Sequence, residues 1–229
     1  MSYIFPAPAQ SILPIHGSNA LFPIHHIYCV GRNYSDHAIE MGHDPKRENP
    51  FFFQKNADNV VHSGADFFYP SKSSEVHHEV ELVVALERGG VNIDSFDTAM
   101  DSIYGYAVGI DMTRRDLQSE LKKSGRPWEI SKAFDNSAPC SEIYPVKEIG
   151  HPERGYIRLY KNGVVCQNGD LSEMIWKIPE IIICLSEFFS LSAGDLIFTG
   201  TPAGVGPVCQ GDILFSEIKG VGSFEVSVI

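Results

Sequence analysis

The sequence predicts an α+β fold that is mainly β, and three observations predict it. Short apolar runs rich in Val, Ile, Phe and Tyr recur, as in Phe51-Phe52-Phe53-Gln54-Lys55, Val80-Glu81-Leu82-Val83-Val84 and Ile103 to Ile110. Runs of about 4–8 such residues are strand lengths. Turn chemistry separates them, with Gly89-Gly90, Asn162-Gly163 and the two Gly-Asp pairs at 194–195 and 211–212. Helical spacing is confined to a few segments, so strands outnumber helices. With 229 residues and 43% hydrophobic content, the chain can bury one sizeable core. The expected organisation is an N-terminal arm over residues 1–23 and a single domain over 24–229.

The arm carries Pro6, Pro8, Pro14 and Pro23, which suit extended or edge segments better than a helix. Ile24 to Val30 reads as a strand. Gly31 to Gly42 then reads as a turn and a short helix, capped by Asn33, with Asp36 in its first turn and Gly42 ending it. On that helix His37 and Glu40 share a face. The charged, proline-bounded stretch from Asp44 to Pro50 is a loop, and Phe51 to Lys55 a buried strand with Lys55 at its end. His77 to Val84 is the next strand, which Gly89-Gly90 terminates, and Ile103 to Ile110 delivers Asp111 at its end. Thr113-Arg114-Arg115-Asp116 has capping-box spacing, so a helix should run to Ser124 and stop at Gly125, with Arg115 and Gln118 on one face. Pro127 to Phe134 brings Lys132 into a mostly apolar segment before the Asp135-Asn136-Ser137 turn. Lys161-Asn162-Gly163 marks a hairpin. From Asp170 the apolar positions 175, 178, 182, 185 and 189 fit a core helix, with Pro179 kinking or restarting it. Two Gly-Asp turns then feed the strands ending at Phe198 and Phe215, with the glycine-rich stretch Thr199 to Gly206 between them.

Composition narrows the function. A net charge of -11 argues against a nucleic-acid surface or a basic membrane patch, both of which need clustered Lys and Arg. An anionic substrate must then meet a local positive site. The five cysteines include no Cys-x-x-Cys pair, which suggests packing thiols in a reducing compartment. The apolar runs fall far short of a membrane span, and a soluble cytoplasmic protein is the expectation.

The chemistry gathers around His77-His78-Glu79-Val80-Glu81. Alternation in a strand puts Glu79 and Glu81 on one side, two like charges inside an apolar run. A cation between them, or a proton on one, relieves the repulsion. Taken alone, the pair is equally compatible with solvent-facing residues of an edge strand. Asp111 adds a third carboxylate, and an all-oxygen set suits Mg²⁺, Mn²⁺ or Ca²⁺ and suits zinc poorly. Adjacent His77 and His78 point apart in a strand, so both are not expected to be ligands. His37 with Glu40 is an arrangement that can activate water. Arg115, Gln118 and Lys132 supply polar and cationic groups for an anionic substrate. The glycine-rich loop matches neither a phosphate loop nor a dinucleotide site, although Thr201 and its backbone N–H groups can face a ligand.

Gly31-Arg32-Asn33-Tyr34 with His37 and Glu40, His78 to Leu82, Asp111 to Asp116, Trp128 to Phe134, and Thr199 to Pro202 with Gly204 to Gly206 together resemble the fumarylacetoacetate hydrolase family. Within it the chain is most similar to short bacterial fumarylpyruvate hydrolases and acylpyruvases. The resemblance implies a mixed β-roll of the family's C-terminal domain type, a homodimer, and Mg²⁺ or Mn²⁺ held by Glu79, Glu81 and Asp111. It implies His37 and Glu40 as the water-activating pair, and Arg115, Gln118, Lys132 and Thr201 as substrate-binding or charge-stabilising groups. Longer relatives carry a further metal-ligating aspartate where this chain has Val30. The reaction implied is hydrolysis of a carbon–carbon bond in a 2,4-diketo acid such as fumarylpyruvate, in aromatic catabolism, with a small anionic 2-oxo acid as the partner. The rivals are an oxaloacetate or oxo-enoate decarboxylase or isomerase using the same site, and a structural metal-binding protein without activity.

Overall fold

The computed structural model describes residues 3–40 and 48–229. Ile12–Pro14 (β1) and Leu21–Pro23 (β2) pair antiparallel, each closed by a proline that lacks a ladder donor. Leu13, Ile15 and Phe22 are buried in one cluster with Ile27, Cys29 and Phe198. Ile27–Gly31 (β3) leads to the short helix Ser35–Glu40 (α1). Asn33 does not cap that helix as its position suggests. Its amide instead donates to the carbonyls of Trp176 (2.9 Å) and Thr199 (2.8 Å) and accepts from the Trp176 N–H (2.7 Å). A buried amide has donors and an acceptor together, so it can join three stretches of chain where a cap would use only the acceptor. Gly42 and residues 44–47 of the expected loop lie outside the described residues.

Phe51–Lys55 (β4) and Val60–His62 (β5) follow. The strand expected over 77–84 is two, Val76–His78 (β6) and Val80–Leu86 (β7), because β6 joins a different sheet and the strand is interrupted at Glu79. Beyond Glu79, alternation holds. Val80, Leu82, Val84 and Leu86 face one apolar cluster and Val83 and Ala85 the other, so β7 is buried on both faces. After Phe96–Asp101 (α2), Ile103–Ile110 (β8) pairs antiparallel with β7. Gly109 is required there, since a Cβ would stand 2.6 Å from Val83 and 2.7 Å from Phe198.

Thr113–Arg114 (β9) precedes the helix Arg115–Ser124 (α3), which Gly125 ends in a left-handed turn at φ 60. Thr113 and Asp116 do not form the expected capping box. Thr113 is part of β9 and its hydroxyl donates to the Asp111 carbonyl, while Asp116 accepts from Ser73 and Ser74. Glu129–Lys132 (α4), Ala138–Cys140 (β10), Tyr144–Pro145 (β11) and Val146–Ile149 (α5) come next. Tyr156–Lys161 (β12) and Val164–Asp170 (β13) form the expected hairpin, with Asn162 and Gly163 both at positive φ. Where one helix was expected from Asp170, Asp170 caps a single 3₁₀ turn and the helix proper is Ile178–Phe188 (α6). Pro179 restarts it from the first turn, where its missing N–H has no helical partner to lose. Leu196–Phe198 (β14), Gly206–Val208 (β15), Ile213–Ile218 (β16) and Gly222–Ser227 (β17) complete the chain.

The main sheet runs β4-β3-β14-β7-β8-β10-β5, with β11 also on β8. It is mixed, for β3 and β14 are parallel, as are β5 and β10, while the other pairs are antiparallel. A second sheet, β13-β12-β16-β17, and a short one, β15-β6-β9, complete a mainly β fold. The parallel pair β3 and β14 matters for the site, because the turns after both strands open on one cleft.

Candidate active site

Glu79 stands between β6 and β7, β7 itself carries Glu81, and Asp111 follows the end of β8. All three are buried, and one carboxylate oxygen from each lies within 4.8 Å of the others. Charge is otherwise absent from these strands. Cations compensate the acids directly. Lys132 Nζ lies 2.8 Å from Glu79 Oε2, 2.6 Å from Asp111 Oδ2 and 2.6 Å from the Thr113 hydroxyl. Lys55 Nζ stands 2.8 Å from Asp111 Oδ1, and the Arg115 guanidinium bonds Glu79 Oε1.

Burial by itself would raise the Glu79 carboxyl, but Lys132, Arg115 and His37 hold it well below the usual range. Glu81 goes the other way. Burial raises it, and Asp111 and Glu79 raise it further, outweighing the N–H that Gly200 donates at 2.7 Å and the charge of Lys132. For Lys132, burial favours the neutral amine, yet Asp111 and Glu79 outweigh it and keep the ammonium charged. The donor set therefore fits a hard divalent cation. It is all oxygen, it already attracts an ammonium, and one of its carboxyls is only partly compensated without more positive charge.

His37 is buried with Nδ1 3.3 Å from Glu40 Oε2, and the Gly204 N–H donates to both Glu40 oxygens at 3.1 and 3.2 Å. The glycine loop thus fixes Glu40, and Glu40 orients the ring. Burial lowers the imidazole's proton affinity, which Glu79 and Glu40 only partly restore, so the ring is held neutral and able to accept a proton.

His37, Glu79, Glu81, Asp111, Arg115, Gln118, Lys132 and Thr201 all line one cleft. Glu40 stands behind His37. Arg115 Nη1 donates to Gln118 Oε1 at 2.6 Å, which ties the two expected binding groups together on α3. Thr201 accepts from Gln167 Nε2 at 2.8 Å. Val30 lines the cleft. The two adjacent histidines lie beside this cluster rather than in it. His77 accepts from Arg115 Nε at 3.3 Å, and His78 bonds Gln167 at 3.0 Å, its imidazole pushed down to about 4 by burial.

Comparison with known proteins decides the family. The fumarylacetoacetate (FAA) hydrolase C-terminal model matches residues 26–229. The chain belongs to the fumarylacetoacetate hydrolase family. It is 42% identical over 185 residues to a fumarylpyruvate hydrolase of Ralstonia sp, covering 81% of this chain and 95% of that one. It is equally similar, 42% over 202 residues, to a mitochondrial oxaloacetate tautomerase of Mus musculus, covering 88% and 90%. Among solved structures, the fumarylpyruvate hydrolase of Pseudomonas aeruginosa in complex with Mn²⁺ and pyruvate superposes with a TM-score of 0.96 at 47% identity, covering 100% of this chain and 99% of that one.

Several residues that line the cleft receive no site role from the sequence, although Arg32 and Trp128 lie in the motifs of the family resemblance. Arg32, Phe51, Lys122 and Trp128 line it, with the Arg32 guanidinium 5.3 Å from the Phe51 ring and Lys122 Nζ 5.0 Å from that of Trp128. Lys55, noted only as a strand end, is buried on Asp111. A lysine closing a run of three phenylalanines was the available signal. Gln167 left none, since its value comes from joining Val80 N–H and His78 to Thr201 and the Pro202 carbonyl.

Proposed function

We propose that this protein hydrolyses the C3–C4 bond of an acylpyruvate, with fumarylpyruvate as the favoured substrate, to a carboxylic acid and pyruvate. The observation that carries the reading is the facing of three buried acids by a neutral, carboxylate-oriented histidine across one cationic cleft. The Ralstonia relative's name and the pyruvate in the Pseudomonas aeruginosa structure support it. Glu79, Glu81 and Asp111 would hold Mg²⁺ or Mn²⁺, which supplies a positive centre for the 2-oxo acid end and for the charge that develops there.

Arg115, with Gln118, binds the substrate carboxylate. Glu40 fixes His37, which takes a proton from water, and the hydroxide adds to the C4 carbonyl. The Thr201 hydroxyl donates toward the oxyanion, and the Lys132 ammonium, its own donors held by Glu79, Asp111 and Thr113, contributes its positive charge. The C3–C4 bond then breaks, its electron pair goes to C3, and the proton returned by the imidazolium yields pyruvate.

Oxaloacetate keto–enol tautomerisation is the second reading, favoured by the mouse relative. It moves a proton between C3 and the enol oxygen and needs no attacking water. The test is an assay of metal-stripped enzyme, reloaded with Mg²⁺ or Mn²⁺, on fumarylpyruvate, other acylpyruvates and oxaloacetate. Metal-dependent release of equimolar pyruvate and acid from an acylpyruvate is expected, and His37→Ala should slow it by roughly 10²–10⁴-fold while metal still binds. Turnover of oxaloacetate alone would overturn the hydrolase reading, and full hydrolysis by His37→Ala would overturn His37 as its base. The same proposal includes a 1–23 arm on one catalytic domain, a cytoplasmic homodimer and a place in aromatic catabolism. Sedimentation of the purified protein checks the dimer.

A further inference from the structure

A second cluster of metal-ligating side chains lies at the far ends of the strands that carry the cleft. His25 and His26 immediately precede β3, and Asp195 immediately precedes β14, its parallel neighbour. Adjacent residues of a regular strand point to opposite faces. Here they converge, because the chain has not yet entered the ladder. The His25 N–H bonds the Gly194 carbonyl and the His26 N–H bonds Asp195 Oδ1. The two rings lie 3.7 Å apart between centroids, both turn Nδ1 to the same oxygen of Asp195, and the Tyr28 hydroxyl lies 3.5 Å from His26 Nδ1.

The distances match a ligand set. His25 Nδ1 is 2.9 Å and His26 Nδ1 3.3 Å from Asp195 Oδ1, and one donor atom from each residue falls within 4.8 Å of the others. An ion about 2.0–2.1 Å from each donor, at angles between about 90° and 109°, would separate the donors by roughly 2.9–3.4 Å. The carboxylate is oriented as metal-bound carboxylates are, its second oxygen taking the Ser192 N–H at 2.7 Å. Asp195 is fully buried while the histidines are 49% and 47% exposed, so an ion can enter and keep water ligands.

We propose that His25, His26 and Asp195 bind a divalent transition-metal ion of the Zn²⁺ or Cu²⁺ class. Two imidazoles and one carboxylate suit such ions, in contrast to the all-oxygen cluster in the cleft. The ion would clamp the starts of two neighbouring strands whose other ends lead to Arg32 and to Thr201, a structural role separate from turnover.

The test uses the full chain without an affinity tag. Zn²⁺ content after equilibrium dialysis and the electron paramagnetic resonance spectrum of bound Cu²⁺ are compared for the parent and for the variant His25→Gln/His26→Gln. Glutamine keeps an N–H for Asp195, and circular dichroism confirms the fold. The parent should bind one more Zn²⁺ per chain than the variant and show nitrogen hyperfine coupling to Cu²⁺ that the variant loses, with Mg²⁺-dependent activity unchanged. Equal Zn²⁺ content, or nitrogen coupling that persists in the variant, would overturn the site. So would a parent spectrum without nitrogen coupling, whatever the variant does.

Discussion

At the scale of single residues, Lys132 and Glu81 mark the two halves of the charge problem in the cleft. Lys132 spends its three N–H donors on Glu79, Asp111 and Thr113. Among the described residues Glu81 receives only the Gly200 N–H, and it is raised by burial and by its neighbouring acids. A carboxyl raised in the folded state binds its proton more tightly there than in the unfolded chain. Without a divalent ion, the protein should therefore lose stability as pH rises through the ordinary carboxylate range toward the raised value. Glu81→Gln keeps the shape and the acceptor for Gly200 but removes the titration. In chelator at neutral pH its Tm should exceed the parent's by roughly 2–4 °C, with the gap closing at acid pH. Added Mn²⁺ should raise the parent's Tm and leave the variant's unmoved. Scanning calorimetry reads both, and a Mn²⁺-stabilised variant would remove Glu81 from the ligand set. His37 has the opposite sign of consequence. Its lowered proton affinity keeps the base competent below the ordinary imidazole value of 6.5, so the acid limb of kcat/KM should fall below that pH. A limb at or above it would mean that the ring is not the base, or is not buried in the working enzyme.

Among the elements, α1 depends on a residue that belongs to no helix or strand. Asn33 is fully buried and ties the turn before α1 to the carbonyls of Trp176 and Thr199 and to the Trp176 N–H. Asn33→Ala would take the amide partner from the buried Thr199 carbonyl and from the part-buried Trp176 N–H and C=O. Unsatisfied buried polar groups cost about 1–3 kcal/mol each, and with partial relaxation the variant should lose roughly 2–4 kcal/mol in urea unfolding. It should also lose turnover, since α1 carries His37 and Thr199 leads to Thr201. A loss below about 0.5 kcal/mol would show that the amide is not a tie. This residue also shows where sequence reading stops. The β3, β4, β7 and β8 strands, the Asn162-Gly163 hairpin and the stop at Gly125 were legible because period, turn chemistry and helix termination are local. Glu79, Glu81 and Asp111 were legible because charge in an apolar run needs a reason. The Asn33 partners are 143 and 166 positions away, and the break at Glu79 is made by sheet membership. Such features exist only once distant strands have met, so cap-like and strand-like local patterns at Asn33, Thr113 and Glu79 pointed elsewhere.

For the molecule as a whole, a net charge of -11 opposes any anionic substrate, and the cleft must reverse the field locally. Arg115 and Lys132 are largely occupied by Glu79 and Asp111, and among the described residues Arg32 and Lys122 are the further cations that line the cleft. Lys122 is the adjustable one. Burial first, then Arg115 and Arg32, push its ammonium down to about 8, against a weaker pull from Glu79. Below that value the lysine is charged and attracts the substrate, and as pH rises through it the attraction disappears. KM for a dicarboxylate acylpyruvate should accordingly climb roughly threefold to tenfold between about pH 7 and about pH 9, a range that allows for solvent screening at a half-buried group. Turnover at saturation should change little over the same interval, because His37 is already neutral throughout it. Lys122→Arg keeps its charge across the whole range and should abolish the climb. Lys122→Gln should start from the higher KM and stay there. Steady-state kinetics of the three proteins on one substrate separates this from a general effect of pH, for only a titrating Lys122 flattens in both variants while moving to opposite levels. A climb that survives in Lys122→Arg would assign the titration to another group and leave Lys122 as packing against Trp128.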